Sequence, residues 1–327
     1  MANFYDQWLG FWDEDRKKSK GAKKVIYPEE LRWTRTRQDY KVALLVAPET
    51  GFRTLGGATM QAEIPPGWKT GKHVHGEEAM YIIKGKGFSV AGGARYDWAE
   101  GSCIRIPYGV EHQHFNSGDG PVSYFSALSP HLENFCRVAK FQHLEDCGEY
   151  SKQPDVPVSK DGHDPDGRRI VIRSEEAEVG HHGEERERVK DRFADTHPHQ
   201  MHKVQHGKIV KLMGGYPDFV GDEVEITDVF FDKPHTASEK HAHMEAGLYI
   251  LAGTGYSMID GEKIPWKPGT MMYVPGPQTV HQHFNTGDVE SQQLRTHFVI
   301  RKFFQPIVKN VFPYLYLEEG RPLEAQR

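Results

Sequence analysis

Two closely spaced histidine pairs are the residues of this sequence whose types and spacing are best suited to chemistry. The first pair, His73 and His75, is followed by Glu78 and, further along the chain, by His112. Alternate residues of a β-strand share one face, so His112 on a neighbouring strand would complete a set of three imidazoles, which Glu78 could extend with an oxygen. Such ligands, with positions left open, suit Fe(II), Mn(II), Ni(II) or Zn(II) and the binding of water, O2 or a chelating substrate.

The same arrangement recurs in the second half of the chain. The segment Lys72 to Gly87 matches the segment Lys240 to Gly255 without a gap, 168 residues later. The repeated imidazoles belong to His241, His243 and His281. A His-x-His pair without a function would seldom recur together with the same distant third histidine. The repeat therefore predicts two copies of one domain and up to two metal sites per chain.

The carboxylate ligand of each predicted site is less closely defined than its histidines. In the second copy Ala246 stands at the position of Glu78. Glu77 is a rival to Glu78 as the carboxylate ligand of the first site, and Glu245 aligns with Glu77. We therefore expect three imidazoles in both sites, with Glu78 as the carboxylate of the first.

Short strands must position these residues. The segments around both sites are rich in Tyr, Ile, Val and Met and are bounded by Gly and Pro at the spacing of a sandwich or barrel. Helical periodicity is found at the N-terminus, where Phe4, Trp8, Phe11 and Trp12 share one face, and from Pro130 to Val138. The sequence therefore predicts an all-β protein with two tandem domains and a few flanking helices.

The length of 327 residues is sufficient for two domains of about 150 residues each. The predicted units are an N-terminal domain with a leading helix (1–148), a charged linker with one exposed helix from Ser174 (149–205) and a C-terminal domain (206–327). The net charge of −5 argues against a general nucleic-acid partner.

The composition also indicates the compartment. No apolar run approaches the ~20 residues that cross a bilayer, and acidic residues occupy the N-terminal segment where a secretion signal would be apolar. The cysteines are Cys103, Cys136 and Cys147, without a Cys-x-x-Cys pair, as expected in a reducing compartment. We expect a cytoplasmic protein with no membrane partner.

The motif spacing resembles that of the cupin superfamily. The first cupin motif is matched, with a shortened gap before the glutamate, by Gly67, His73, His75, Glu78 and Gly85. The second motif is matched at every position by Gly101, Pro107, Gly109, His112 and Asn116. The resemblance implies a bicupin, in which a jelly roll, or double-stranded β-helix, surrounds each metal site, and a homo-oligomer.

Among cupins the chain is most similar to the gentisate 1,2-dioxygenase group. Both copies carry the His-x-His-x-Asn string of that group, at 112–116 and 281–285, and Ala246 matches its alanine. The resemblance implies a non-haem Fe(II) dioxygenase that opens a hydroxylated aromatic ring with O2, with His114 or His283 shuttling the proton. From the residues alone, these two histidines are proton carriers, substrate contacts or outer hydrogen-bond partners.

A carboxylate on the substrate would need a cationic partner. The candidates are Arg53, Arg95, Arg105 and Lys84, because a guanidinium is well shaped to bind a carboxylate. Of these we select Arg105.

Two further functions remain open. The first is an oxalate-decarboxylase-like bicupin with Mn(II), which acts on a small carboxylate; Glu78 favours it and Ala246 opposes it. The second is a non-enzymatic, ligand-binding bicupin, which the intact histidines of both copies oppose. Because one fold hosts many functions, the site must decide between them.

Overall fold

The computed structural model describes residues 3–181, 208–276, 279–298, 315–318 and 321–322. The two α-helices are α1 (Phe4–Lys20) and α2 (Pro130–Phe135), and two short 3-10 helices span Pro28–Glu30 and Pro48–Thr50. The first fourteen strands are β1 (Val25–Ile26), β2 (Lys41–Leu44), β3 (Ala58–Ile64), β4 (Trp68–Lys69), β5 (Lys72–Val74), β6 (Glu78–Lys84), β7 (Lys86–Ala91), β8 (Ala94–Ala99), β9 (Cys103–Ile106), β10 (His112–Asn116), β11 (Val122–Leu128), β12 (Gln142–Glu145), β13 (Gly148–Glu149) and β14 (Val171–Ile172). The remaining strands are β15 (Val179–His181), β16 (Lys208–Lys211), β17 (Val224–Asp232), β18 (Thr236–Ala237), β19 (Lys240–His243), β20 (Ala246–Ala252), β21 (Gly255–Ile259), β22 (Glu262–Trp266), β23 (Met271–Val274), β24 (Thr279–Asn285), β25 (Ser291–Phe298), β26 (Leu315–Glu318) and β27 (Arg321–Pro322).

Two antiparallel sheets enclose the core of each half. In the first half, sheet I has the order β14-β9-β6-β11-β3-β2, and sheet II has the order β12-β5-β10-β4-β13, with β7 on β10 and β8 on β7. In the second half, sheet III has the order β1-β23-β20-β25-β17-β16-β15, and sheet IV has the order β22-β21-β24-β18-β27, with β19 between β24 and β26. The predicted all-β architecture of two repeated domains with few helices is confirmed.

Each half donates a short leading strand to the sheet of the other half. In sheet III, β1 pairs with β23, with Ile26 opposite Met271. In sheet I, β14 pairs with β9, with Ile172 opposite Cys103. Because β9 and β23 occupy equivalent places in the repeat, this exchange is reciprocal.

One apolar cluster joins the halves. Phe125 of sheet I lies 5.4 Å, ring centre to ring centre, from Tyr249 of sheet III, and Phe52 lies 5.9 Å from Tyr273. All four rings are buried in the same cluster. Aromatic pairs of this kind contribute about 0.5–1.5 kcal/mol each beyond their buried area, so the halves stabilise one another.

The turn before each predicted metal site needs a left-handed backbone. Gly67 has φ +71° and the aligned His235 has φ +54°. A residue with a side chain is uncommon in this region, so the second copy keeps the turn at some cost in strain after losing its glycine.

The helix predicted at the N-terminus is present as α1, and the one predicted from Pro130 is the shorter α2. Phe4, Trp8 and Phe11 are exposed on α1. The helix predicted for the linker lies, from residue 182 on, outside the described residues. The bounds of the three predicted units remain a prediction, although Val171 and Ile172 within the linker range are fully buried in sheet I. Among the helices described, none is long and apolar enough to cross a membrane.

Asp232, at the end of β17, makes the stability of the fold depend on pH. Burial raises the pKa of Asp232 from 3.8 to about 7, with Glu290 adding to the effect. The folded state therefore keeps a proton that the unfolded chain releases above 3.8, and stability falls as pH rises from 3.8 to about 7. Gln293 Nε2 donates to Asp232 at 3.2 Å, while Gln293 Oε1 is buried and lacks a partner among the described residues.

We expect Asp232→Asn to remove this dependence, because an amide does not titrate and can donate to Gln293 Oε1. Relative to the original protein, the variant should gain unfolding free energy as pH rises. Urea unfolding at pH 5 and pH 8 measures the difference. A parallel fall in both proteins would contradict the assignment.

Candidate metal centres

Centre 1 is formed by His73, His75 and His112, with Glu78 beside them. His73 lies on β5 directly opposite His112 on β10 of sheet II. The ring centres are 4.1 Å apart for His73 and His112 and 4.6 Å apart for His75 with either of the others. One nitrogen of each ring lies within 4.8 Å of the others, a spacing that allows all three to bind one ion.

Backbone carbonyls fix the tautomers of these three imidazoles. The Nδ1 atoms of His73, His75 and His112 lie 3.3, 2.8 and 2.8 Å from the carbonyl oxygens of Gly71, Gly76 and Val110. A carbonyl can only accept, so each Nδ1 carries the hydrogen, and in a neutral ring the lone pair is then on Nε2. His112 Nε2 is buried and makes no hydrogen bond within the described residues. This is the arrangement that metal-binding histidines adopt.

Glu78 reaches centre 1 from the facing sheet I. Its Oε2 lies 3.5 Å from His75 Nε2 and 3.6 Å from His112 Nε2, and its Oε1 accepts a hydrogen bond from Ser126. Burial raises the pKa of Glu78, but the imidazoles of His112 and His75 outweigh burial and hold it well below its usual value. Centre 1 therefore offers three nitrogens and one carboxylate.

Electrostatics keep most of the histidines of centre 1 neutral. Burial, with the charge of His112 and His75, lowers the pKa of His73 to about 2, and burial lowers that of His112. For His75, burial is outweighed by Glu78, which raises the pKa. A group with at most one protonated imidazole suits a cation better than three imidazolium ions.

Centre 2 repeats the three imidazoles in the second half. His241 on β19 lies opposite His281 on β24, and His243 follows on the same strand. The ring centres of His281 lie 4.2 and 4.6 Å from those of His241 and His243. Each Nδ1 again faces a backbone carbonyl, at 3.2 Å for His241, 2.5 Å for His243 and 2.8 Å for His281. Three lone pairs are therefore directed to one point here as well.

Centre 2 differs from centre 1 in its fourth position. Ala246 offers no carboxylate where Glu78 does, and Arg295 on β25 joins the three histidines and the buried Glu239 in lining a small cavity of about 30 Å³. Asp228 on β17 accepts from Arg295 Nε at 2.9 Å and from Nη2 at 2.5 Å. This centre has a small cavity and a guanidinium held by Asp228.

His114 and His283 occupy the same place beside each centre. Ser89 Oγ lies 2.7 Å from His114 Nδ1 and accepts the indole N–H of Trp98 at 2.9 Å. Because Ser89 already accepts from Trp98, its own hydrogen is directed to His114 Nδ1, and His114 Nε2 then carries a hydrogen. This Nε2 is buried without a hydrogen-bond partner within the described part of the chain, close to Glu78 and His112.

The second copy repeats this set of hydrogen bonds, with Trp266, Ser257 and His283 in the places of Trp98, Ser89 and His114. Ser257 Oγ lies 2.7 Å from His283 Nδ1 and accepts from Trp266 at 3.1 Å. Burial lowers the pKa of His283 well below its usual value and lowers the pKa of His114 to about 3. Both side chains are therefore neutral hydrogen-bond donors. Trp98 and Trp266 set this tautomer through their hydrogen bonds to Ser89 and Ser257.

Arg105, selected for the substrate carboxylate, is placed elsewhere. Its Nε donates to Glu77 at 2.5 Å and its Nη2 to Asp222 at 2.7 Å, so it lies at the contact between the halves. Arg53 pairs with Asp15, and Arg95 pairs with Asp97. None of these arginines lines the cavity of centre 2. The correction follows from strand alternation, which directs Arg105 away from the interior.

Glu77 and Glu245, considered as alternative ligands, also face the other half. Glu77 Oε2 accepts the backbone N–H groups of Asp222 and Glu223, both at 2.6 Å. Glu245 Oε1 accepts the N–H of Leu55 at 3.1 Å. Among the described residues, neither carboxylate belongs to a set of side chains whose ligand atoms are close enough together to bind one metal ion. They act as reciprocal links between the halves.

Sequence reasoning missed Arg295. Beyond the inserted residue the two repeats align without a further gap, and Arg295 matches Ser126. A charged residue aligned with a buried neutral one is the signal that could have identified Arg295. The roles assigned to the histidines as ligands and proton carriers remain predictions, although the structure brings all of them together at the two centres.

The comparisons with known proteins agree with this architecture. The cupin domain model matches residues 60–128 and 230–294. A search of curated protein sequences finds no match. No specific relative therefore assigns an activity.

Two groups of solved structures resemble the chain in fold. Salicylate 1,2-dioxygenase from Pseudoaminobacter salicylatoxidans, in adducts with gentisate, is 12% identical with a TM-score of 0.58, over 97% of this chain and 84% of that one. Bacillus subtilis oxalate decarboxylase, studied for its Mn(II) centres, is 14% identical with a TM-score of 0.61, over 91% of this chain and 89% of that one. With the cupin domain found twice, the chain belongs to the cupin superfamily and is a bicupin.

Proposed function

We propose that this bicupin is a non-haem Fe(II) dioxygenase that cleaves a hydroxylated aromatic ring with O2, and that the reaction takes place at centre 2. The observation that carries the proposal is the set of His241, His243 and His281 beside a cavity, with alanine at the fourth position. Three imidazole nitrogens on one side leave the remaining positions of an ion to substrate and O2.

The residues of centre 2 have distinct parts in this function. The three histidines would hold the ion, and their Nδ1 contacts to backbone carbonyls keep the rings in place. Bound Fe(II) would supply electron transfer between the substrate and O2. His281 and His283 are almost fully buried, so water is largely excluded and the substrate is oriented.

His283 would donate a hydrogen bond to the ligand oxygen on which negative charge develops. Its Nε2–H is fixed by the contact of Nδ1 with Ser257. A donor that is already oriented stabilises developing charge without reorganising. We therefore assign His283 to hydrogen bonding with the ligand rather than to the metal.

Ser257→Ala is expected to lower kcat about tenfold, because His283 would lose the partner that sets its tautomer. Metal content and KM should change little. Steady-state O2 uptake and metal analysis measure this, with Ser89→Ala at centre 1 as the matched control. An unchanged kcat, or an equal loss in the control, would contradict the assignment.

The proposal is tested by metal analysis of protein purified without added metal, followed by O2 uptake with a panel of dihydroxybenzoates after anaerobic Fe(II) loading. We expect substrate-dependent uptake and a ring-opened product. Manganese in the purified protein without O2 uptake, or failure of the folded protein to bind metal, would overturn the proposal.

A second candidate function has its own supporting observation. Glu78 completes a set of three nitrogens and one oxygen at centre 1, which suits Mn(II) and an oxalate-decarboxylase-like reaction on a small carboxylate. Release of CO2 from oxalate by the Mn(II)-loaded protein, lost in His73→Ala and retained in His241→Ala, would favour this function.

A further inference from the structure

Helix α1 exposes a broad apolar face. Five large side chains in its N-terminal half are 58% to 66% exposed, and we call them the α1 face: Phe4, Tyr5, Trp8, Leu9 and Phe11. Most of the stability of a short helix in a protein comes from the packing of its apolar side. The helix is joined to the rest of the chain further along, where Asp15 pairs with Arg53. The described part of the chain therefore leaves the α1 face largely in water.

A second exposed apolar surface lies at the end of α2, beside centre 1. Four side chains form it, and we call them the α2 patch: Tyr108, Phe135, Val138 and Phe141. Phe135 is 84% exposed. The Tyr108 hydroxyl donates to the carbonyl of Val138, and the ring centre of Phe141 lies 5.9 Å from that of His75. The α2 patch is therefore continuous with the rim of centre 1.

The borders of the two surfaces carry opposite charge. Acidic side chains border the α1 face on both sides of the helix: Asp6, Asp13 and Glu14. In the α2 patch, Arg137 and Lys140 are exposed, and the segment 134–144 contains no acidic residue. Complementary charges of this kind select a partner and fix its orientation. The α1 face thus fits the α2 patch in both polarity and charge.

The exposed area is sufficient for a stable dimer if both surfaces are covered. An aromatic side chain buries about 150–250 Å², so at these exposures the α1 face leaves roughly 600 Å² in water and both surfaces together roughly 1,000 Å² per protomer. A specific dimer buries about 800 Å² per partner. Contact between two α1 faces alone would fall short of this area, whereas contact of each α1 face with an α2 patch reaches it.

We propose that the chain forms a two-fold dimer in which α1 of each copy packs on the α2 patch of the other copy. Two-fold symmetry is the commonest in soluble oligomers, and it uses each of these contacts twice. The helix of the second copy then covers the rim of centre 1 beside Phe141. The proposal does not depend on the reaction at centre 2.

Sedimentation velocity of the full-length protein measures the assembly. We expect a particle of at least twice the 37.3 kDa of one chain. Trp8→Glu and Phe135→Glu should each raise the Kd of the dimer at least about thirtyfold, because a charge replaces an aromatic anchor of the contact. Both side chains are exposed in the single chain, so both variants should fold, which thermal unfolding checks.

Val289→Glu is the matched control. Val289 is 59% exposed, as Trp8 is, and belongs to neither surface. This variant receives the same charge at an exposed apolar position and should keep the mass of the original protein.

Cross-linking distinguishes the exchanged helices from other dimers. Cys136 is exposed and lies within the α2 patch segment, whereas Cys103 and Cys147 are buried. A bis-maleimide should join the thiol introduced by Leu9→Cys to Cys136 of the partner subunit, which a denaturing gel and mass spectrometry of the linked peptides detect. Adding Cys136→Ser to the same variant should abolish the covalent dimer.

The proposal is overturned if the original protein sediments as a monomer at micromolar concentration. It is also overturned if folded Trp8→Glu or folded Phe135→Glu keeps the mass of the original protein. A covalent dimer that persists after Cys136→Ser would place two α1 helices against each other and reject the exchange. A link formed only within single chains would reject it as well.

Discussion

Replacement of His281 by alanine is expected to remove one metal ion per chain and to lower substrate-dependent O2 uptake by about a thousandfold. His281 on β24 lies opposite His241 on the neighbouring strand β19. The other two imidazoles, those of His241 and His243, both come from β19. Without it, an ion would be held from one side only. Metal analysis and O2 uptake of the Fe(II)-loaded variant measure both effects.

His112→Ala is the matched control, because His112 has the same place on β10 of centre 1. We expect it to remove one metal ion and to leave most of the O2 uptake. If His112→Ala abolishes the uptake and His281→Ala does not, the reaction belongs to centre 1 and our assignment to centre 2 is wrong.

Glu77→Ala is expected to lower the free energy of unfolding by about 3–5 kcal/mol, since it breaks a buried ion pair. Glu77 is fully buried and accepts from Arg105 and from two backbone N–H groups of the second half. Burial raises the pKa of Glu77 in spite of Arg105, and since a higher pH favours the ionised carboxylate, urea unfolding is best measured at pH 8.

Glu145→Ala serves as the control for this effect. Glu145 pairs with Lys69 at the surface, where half of its side chain is exposed, and such pairs contribute about 0–1 kcal/mol. A loss in Glu77→Ala no larger than the loss in Glu145→Ala would show that the link between the halves contributes little to stability.

The repeat made the fold and the histidines predictable. Strand alternation places His73 and His75 on one face, and the motif spacing brings His112 to them, so the grouping of the three imidazoles followed from the sequence. The same alternation separates Glu77 from Glu78, yet a period of two does not say which of two neighbours faces inward. Only the packing of sheet I against the second half decides that Glu77 faces outward.

The contact between Ser257 and His283 and the ion pair between Arg295 and Asp228 each depend on the pairing of two separate strands. Ser257 meets His283 through the register of β21 and β24, and Arg295 meets Asp228 through that of β17 and β25. Registers between distant strands are set by the whole sheet, so a single sequence without its fold does not reveal them. For the same reason the charge of Arg105 suggests a partner for a substrate carboxylate, whereas the fold pairs it with Glu77 and Asp222.

The exchange of leading strands imposes an order on synthesis. β14 follows its partner β9, so sheet I can be completed while the ribosome is still making the second half. β1 emerges from the ribosome before its partner β23, which follows roughly 10 to 50 s later at about 5–20 residues per second. β1 therefore docks long after it has been translated, and sheet III closes only once β23 has been made.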